Sequence, residues 1–106
     1  MKKRSAPEPV APVDLGSIRY EAPHWGKERG LGQNGGHIVA TDRLSGKELW
    51  TAQIYEIHYD PNMEDDKQDV FVTSLSLDPG GSRLHVTDEL SRSYSVDLFS
   101  HKVSQP

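Results

Sequence analysis

Residues 37–59 read HIVATDRLSGKELWTAQIYEIHY, and this stretch decides the fold. Residues 37–42 favour a strand, Arg43-Leu44-Ser45-Gly46-Lys47 interrupts them, and alternation resumes at Glu48 and runs to Tyr59. A short interruption holding a glycine, between two strand-forming runs, is a hairpin, because glycine takes positive φ without steric cost. In the return run the apolar positions are first Trp50, Ala52 and Ile54, then Tyr55, Ile57 and Tyr59. That change of parity predicts a β-bulge or sharp twist between residues 54 and 55, since a strand alternates faces with a period of two.

The same period governs the rest of the chain. Downstream, residues 60–69 form a charged loop, and residues 70–77 a strand with Phe71, Leu75 and Leu77 on one face. Asp78-Pro79-Gly80-Gly81 suits a tight turn, with proline presetting φ and glycine accepting the left-handed region. Residues 83–87 and 93–98 are further strands, with Leu84 and Val86, then Tyr94, Val96 and Leu98, pointing inward. Upstream, residues 24–36 hold five glycines and no apolar period, a long loop for a compact domain. Before it, Ile18, Tyr20 and Ala22 share one face of a short strand closed by Pro23. Residues 1–15 carry Pro7, Pro9 and Pro12 and a basic start, so they are expected to be a disordered tail. No helical period is sustained anywhere. The expected fold is therefore all-β: one domain over residues 16–104, an antiparallel meander of five to six strands.

A chain of 106 residues is one domain. Its apolar fraction of 34% is low, and its net charge of −4 offers no basic field for a polyphosphate backbone, which excludes nucleic acid as the main ligand. There is no cysteine, hence no disulfide, no thiolate chemistry and no cysteine metal site. The basic start Met1-Lys2-Lys3-Arg4 is followed by Ser5-Ala6-Pro7-Glu8-Pro9 where a signal peptide needs an apolar run. No stretch approaches the roughly 20 apolar residues of a membrane span. A soluble, cytoplasmic protein without a membrane partner is the expectation.

Two segments 55 residues apart look alike. Thr41-Asp42-Arg43-Leu44-Ser45-Gly46-Lys47 runs parallel to Val96-Asp97-Leu98-Phe99-Ser100-His101-Lys102: an aspartate ends a strand, and a lysine follows across a tight turn. The first copy, extended from Val39 to Trp50, resembles the repeat of PQQ-type quinoprotein β-propellers, with Ala40, Asp42, Gly46, Lys47 and Trp50 matching its Ala-x-Asp, Gly-Lys and Trp positions. The second copy departs, with His101 for the turn glycine and no tryptophan after it. The resemblance covers residues 37–103 and implies strands ordered as in about one propeller blade. A propeller site draws on residues from many blades around a channel, so the resemblance carries over no quinone site, and no cofactor is expected.

Several patterns invite chemistry. Asp60, Asn62 and Glu64 stand at alternate positions, as oxygen ligands do in a calcium loop, but Asp65 sits where that loop needs glycine and Phe71 where it needs glutamate. With Asp65, Asp66 and Asp69 nearby, the segment reads as a solvated acidic loop whose charge density suits a basic partner surface. Gly30-Leu31-Gly32-Gln33-Asn34-Gly35 matches G-x-G-x-x-G without the preceding strand and following helix a dinucleotide site requires. Its glycines are expected to let backbone pass close to the sheet. His24, His37, His58, His85 and His101 show no metal-ligand spacing, and those on strands are expected to face solvent. Trp50 reads as core, Trp25 as a loop ring folded back over the sheet.

No catalytic or metal-ligating residue is assigned. The expected function is a non-enzymatic binding or protein-interaction module, whose contact surface would use His24, Trp25, Asp60, Glu64, Asp65 and Asp66. The alternatives are a small metal-dependent or hydrolytic enzyme built from loop histidines and carboxylates, and a structural subunit that self-associates through its sheet edge. The expected partner is accordingly another protein or a second copy.

Overall fold

A computed structural model describes residues 7–64 and 68–105. Among them are eight strands: β1 (Val13–Leu15), β2 (Ile18–Glu21), β3 (His37–Asp42), β4 (Glu48–Gln53), β5 (Val72–Leu77), β6 (Arg83–Asp88), β7 (Ser93–Asp97) and β8 (Val103–Ser104). They form two antiparallel four-stranded sheets, ordered β1-β2-β3-β4 and β5-β6-β7-β8. The chain is all-β, as its alternation requires, but it makes two sheets of eight strands rather than one meander of five or six. The two strands the alternation missed are edge strands of three and two residues, too short to show a period.

β1 lies inside the stretch expected to be disordered. Val13 pairs with Tyr20 and Leu15 with Ile18 across a turn in which Gly16 takes a φ of 60°, and Val10 and Val13 pack against the core. Pro12 stands just outside the strand, where its missing N–H costs no ladder bond. The ordered sheet therefore begins at Val13, three residues before the expected domain boundary; residues 1–6 lie outside the described residues.

The long return strand expected over residues 48–59 ends at Gln53. The bulge falls earlier than parity suggested: Ala40 pairs with Trp50 and Thr41 with Glu48, so Leu49 is the extra residue. A second irregularity, between Val72 and Ser74, puts Val72 rather than Phe71 on the core side with Leu75 and Leu77, and Phe71 is buried instead beneath His24 and Trp25. Leu84, Val86, Tyr94 and Val96 point inward as expected, and with Tyr20, Ile38, Ala40 and Ile54 they make a single core between the sheets. Each fully buried Leu or Val contributes about 1.5–3 kcal/mol.

The two turns 55 residues apart fold alike. The Gly46 N–H donates to the Asp42 carbonyl at 2.8 Å and the His101 N–H to the Asp97 carbonyl at 2.7 Å. The Leu44 and Phe99 amides donate to the Oδ1 atoms of Asp42 and Asp97. Gly46 has a φ of 76°, and His101 takes a φ of 64° without being glycine.

This correspondence also sets how the sheets stack. Ala40 faces the core, whereas its counterpart Ser95 lies on the outer side of the second sheet; Val39 and Thr41 lie on the outer side of the first, whereas Tyr94 and Val96 face the core. The sheets therefore repeat in the same sense, front of one against back of the next. They are not two halves of a mirror-like sandwich.

Candidate contact surface

The turns after β1, β3, β5 and β7 lie at one end of the molecule: Arg43 N–H donates to Ser17, Leu98 N–H to Ser82, and Leu15 lies beside Gly81. The long loops 22–36 and 54–71 lie at the other end with the turn 89–92. There the glycine loop takes a short 3₁₀ turn (Gly26–Arg29) and closes on itself, Gly26 N–H donating to the Asn34 carbonyl at 2.9 Å.

Of the glycines in the G-x-G-x-x-G match, Gly35 has the close approach expected of it, whereas Gly30 and Gly32 face open space. A Cβ on Gly35 would collide with the Val70 carbonyl, and one on Gly26 with the Gln33 carbonyl. The residue the sequence reading overlooked is Gln33. Its buried amide donates to the carbonyls of Gly35 and Tyr55, both at 2.8 Å, and accepts from the Ile57 N–H at 2.8 Å. With the bond from Ile54 N–H to the Gly36 carbonyl, a side chain stands in for the missing strand partner of residues 55–57.

A second polar group joins the loops. Asp69, buried, accepts from the Tyr59 hydroxyl at 2.5 Å and from Asn34 Nδ2 at 3.0 Å, and the Lys27 ammonium lies 4.3 Å from the centre of the Tyr59 ring. Beneath them, Asp88 accepts from the Leu90 and Arg92 amides, the Arg92 guanidinium and the Tyr94 hydroxyl. Burial alone would raise its carboxyl, but these donors together hold it below the usual carboxylate value. Tyr55 stacks on Tyr94 with centroids 5.3 Å apart, and burial pushes its phenol well above the ordinary value.

His24 and Trp25 meet on one buried residue. Phe71 receives both rings edge-on, at 5.1 and 5.6 Å between centroids. His24 Nε2 lies 2.8 Å from the Glu8 carbonyl, which ties the N-terminal segment to the loop. Trp25 is neither folded away nor free: it stays 42% exposed. Phe71 is gripped in turn by Glu89, whose N–H donates to the Phe71 carbonyl and whose carboxylate accepts the Phe71 N–H. The next residue, Leu90, is 59% exposed.

Of the acidic positions, Asp60 caps its own turn by accepting the Asn62 N–H at 2.9 Å, and the Gln68 side chain bonds the Asp60, Met63 and Glu64 carbonyls. Glu64 is exposed; Asp65 and Asp66 lie outside the described residues. The structure thus sets Asp60 and Glu64 on a loop that reaches the His24–Trp25 loop through Tyr59, Asp69 and Phe71.

The histidines are dispersed. His37, expected to face solvent, is buried, its Nε2 3.1 Å from the Gln33 carbonyl, and burial lowers its pKa. The glycine loop covers the face of β3 that alternation assigned to water. His85 and His58 are exposed, and His58 lies 3.7 Å from Glu56. His101 stacks on Trp50. Among the described residues, no three His, Asp or Glu side chains gather as ligands of a metal would.

At the opposite end Leu44 and Phe99, equivalent in the 55-residue relation, are 93% and 97% exposed. That relation was the signal that could have singled them out. Among the described residues no helix is long and apolar enough to cross a membrane. No protein-family model matches the chain, and no curated protein matches it in sequence.

Proposed function

We propose that this protein is a non-enzymatic protein-interaction module whose contact surface is the loop end around Trp25. The observation that carries the reading is an exposed indole braced against a buried phenylalanine, with exposed Leu90 beside the backbone that holds that phenylalanine. Rigid aromatic residues that keep part of their surface in water dominate binding energy at interfaces, because little side-chain entropy is lost when they dock. Asp60 and Glu64 on the adjoining loop add negative charge, which suits a partner with a basic rim. The test compares wild type with Trp25→Ala in cross-linking of the protein within its native extract. A partner captured by wild type and lost with Trp25→Ala, while the variant still melts cooperatively as a folded protein, is the expected outcome. Capture that does not depend on Trp25 would overturn the reading.

We also infer that the two sheets are consecutive blade-like repeats similar to those of PQQ-type propellers. The equivalent turns at Asp42 and Asp97 and the same-sense stacking of the sheets support this. A chimera test is direct: replacing residues 97–102 by the sequence of residues 42–47 should leave a folded protein. Loss of folding would argue that the two turns are alike only locally.

A further inference from the structure

At the turn end, on the outer side of the first sheet, an open cleft of about 630 Å³ is lined by Arg19, Thr41, Arg43, Leu44 and Gly46 among others. A smaller hollow of about 230 Å³ shares Glu21, Thr41 and Gly46 with it and reaches Pro23, Arg29 and Glu48. The two adjoin along the shared residues. Its counterpart on the second sheet is filled. There the residue equivalent to Gly46 is His101, and Trp50 of the first sheet lies flat on it, ring centroids 4.0 Å apart and planes 20° from parallel. At Gly46 the same space is open: a side chain built there would meet no atom within 4 Å.

We infer that this groove receives an aromatic side chain presented by an uncharged, extended segment of a partner protein. The aromatic character follows from the filled copy of the site and from Leu44, which offers an apolar wall at the rim while 93% exposed. The lack of charge follows from the lining, where Arg19, Arg29 and Arg43 stand with Glu21, Asp42 and Glu48 so that neither sign prevails, and from the arginines being already held, Arg19 at 2.7 Å and Arg43 at 3.5 Å from Asp14 and Arg29 on Glu48. A charged ligand would have to break these pairs. An extended segment follows from the two hollows lying side by side with an open side, which would leave a small free molecule largely in water. The larger cleft lies at the opposite end from Trp25, whereas the smaller hollow reaches Pro23 and Arg29 of the loop that carries Trp25, so the two sites are told apart by which amides respond.

The test is an NMR titration of the whole protein with a blocked Gly-Ser-Trp-Ser-Gly peptide and with its alanine counterpart. Saturable shifts are expected at the amides of Thr41, Arg43, Gly46 and Glu48, with affinity at least tenfold weaker for the alanine peptide. Leu44→Ser, a change at an exposed tip that folding tolerates, should weaken the tryptophan peptide at least threefold, and Thr41→Trp should abolish its effect by filling the groove. Equal shifts with both peptides, or shifts confined to the residues around Trp25, would overturn the site. Shifts at the same amides on concentrating the protein alone would overturn the partner-protein assignment and make the occupant a second copy.

Discussion

Trp50 of the first sheet lies face to face with His101 of the second, 4.0 Å between centroids and 20° from parallel, so the β7–β8 turn is clamped by a ring from the neighbouring sheet. Trp50 also tilts against Tyr20 at 6.0 Å, which links the stack to the core. Trp50→Ala should cost about 3 kcal/mol, the lower end for a large aromatic because the ring is only half-buried. Trp25→Ala should cost less than half as much. Urea melts of the two variants check the ranking, and the reverse order would mean that the loop end, not the inter-sheet stack, holds the fold.

His101 sets two effects against each other. Its φ of 64° is strained for a residue with a Cβ, by about 1 kcal/mol, while the stack returns about 0.5–1.5 kcal/mol. His101→Gly should therefore be nearly neutral, and His101→Ala, which keeps the strain and loses the ring, should destabilise by about 1 kcal/mol. Alanine at or above glycine in stability would show that the backbone there is not strained.

How much of this was legible in the sequence depends on the scale of the signal. β6 and β7 follow from alternation, because their inward residues sit in a core that rewards a period of two, and β3 from its strand-forming residues beside the Gly46 hairpin. β1 and β8 were not legible, since three and two residues cannot display a period. His37 was misread because the element that covers it is a glycine loop, whose packing depends on close backbone approach and not on apolar pattern. Gln33 was invisible for a related reason: a glutamine in a loop is ordinary until the segment it bonds is known. Of the candidate contact residues, His24 and Trp25 were legible as an odd pair, but Phe71, the residue that joins them, was read only as strand core.

His37 gives the pH dependence a sign. Burial holds its folded pKa below the ordinary value of 6.5. As the pH falls below about 6.5 the unfolded chain takes up a proton that the folded chain still refuses, so stability present above that pH is lost on acidification. Asp88, with its lowered carboxyl, adds a separate loss only at the acid end, below its ordinary value of 3.8. Melting temperatures should be flat from pH 7 to about 9, below the tyrosine range, and decline between pH 6.5 and 5, and His37→Gln should shallow that decline. An unchanged slope in the variant would remove His37 as its source.

Close approach predicts a sharp contrast between two glycines. Gly35→Ala would drive a Cβ into the Val70 carbonyl and against the Phe71 Cα, backbone atoms that cannot rotate away. The expected cost is at least the 1–3 kcal/mol of overpacking. Gly80→Ala meets no atom within 4 Å and needs no positive φ, so it should change stability by less than about 0.5 kcal/mol. Parallel thermal melts decide it; equal effects would mean that the 22–36 loop is not packed against residues 70–71.

Gln33 offers the most specific test of how the loop end is built. Its amide makes three bonds to the backbone, two as donor and one as acceptor, in a buried position. Gln33→Ala removes all three and leaves the Ile57 N–H and the Tyr55 carbonyl without this partner, a loss of about 1 kcal/mol per bond and more where water cannot enter. Gln33→Glu nearly preserves shape but turns both donor contacts into a carboxylate facing two carbonyl oxygens, which should cost at least as much as alanine at pH 7. At acid pH the protonated side chain regains one donor, so the glutamate variant should recover relative to the alanine one as the pH falls through the carboxylate range. Hydrogen exchange at the Ile57 amide locates the effect: it should accelerate at least tenfold in Gln33→Ala, and by more than the amides of β6 and β7 do. Uniform acceleration across both sheets would show instead that the 55–57 segment opens only with global unfolding and that Gln33 is a core residue like any other.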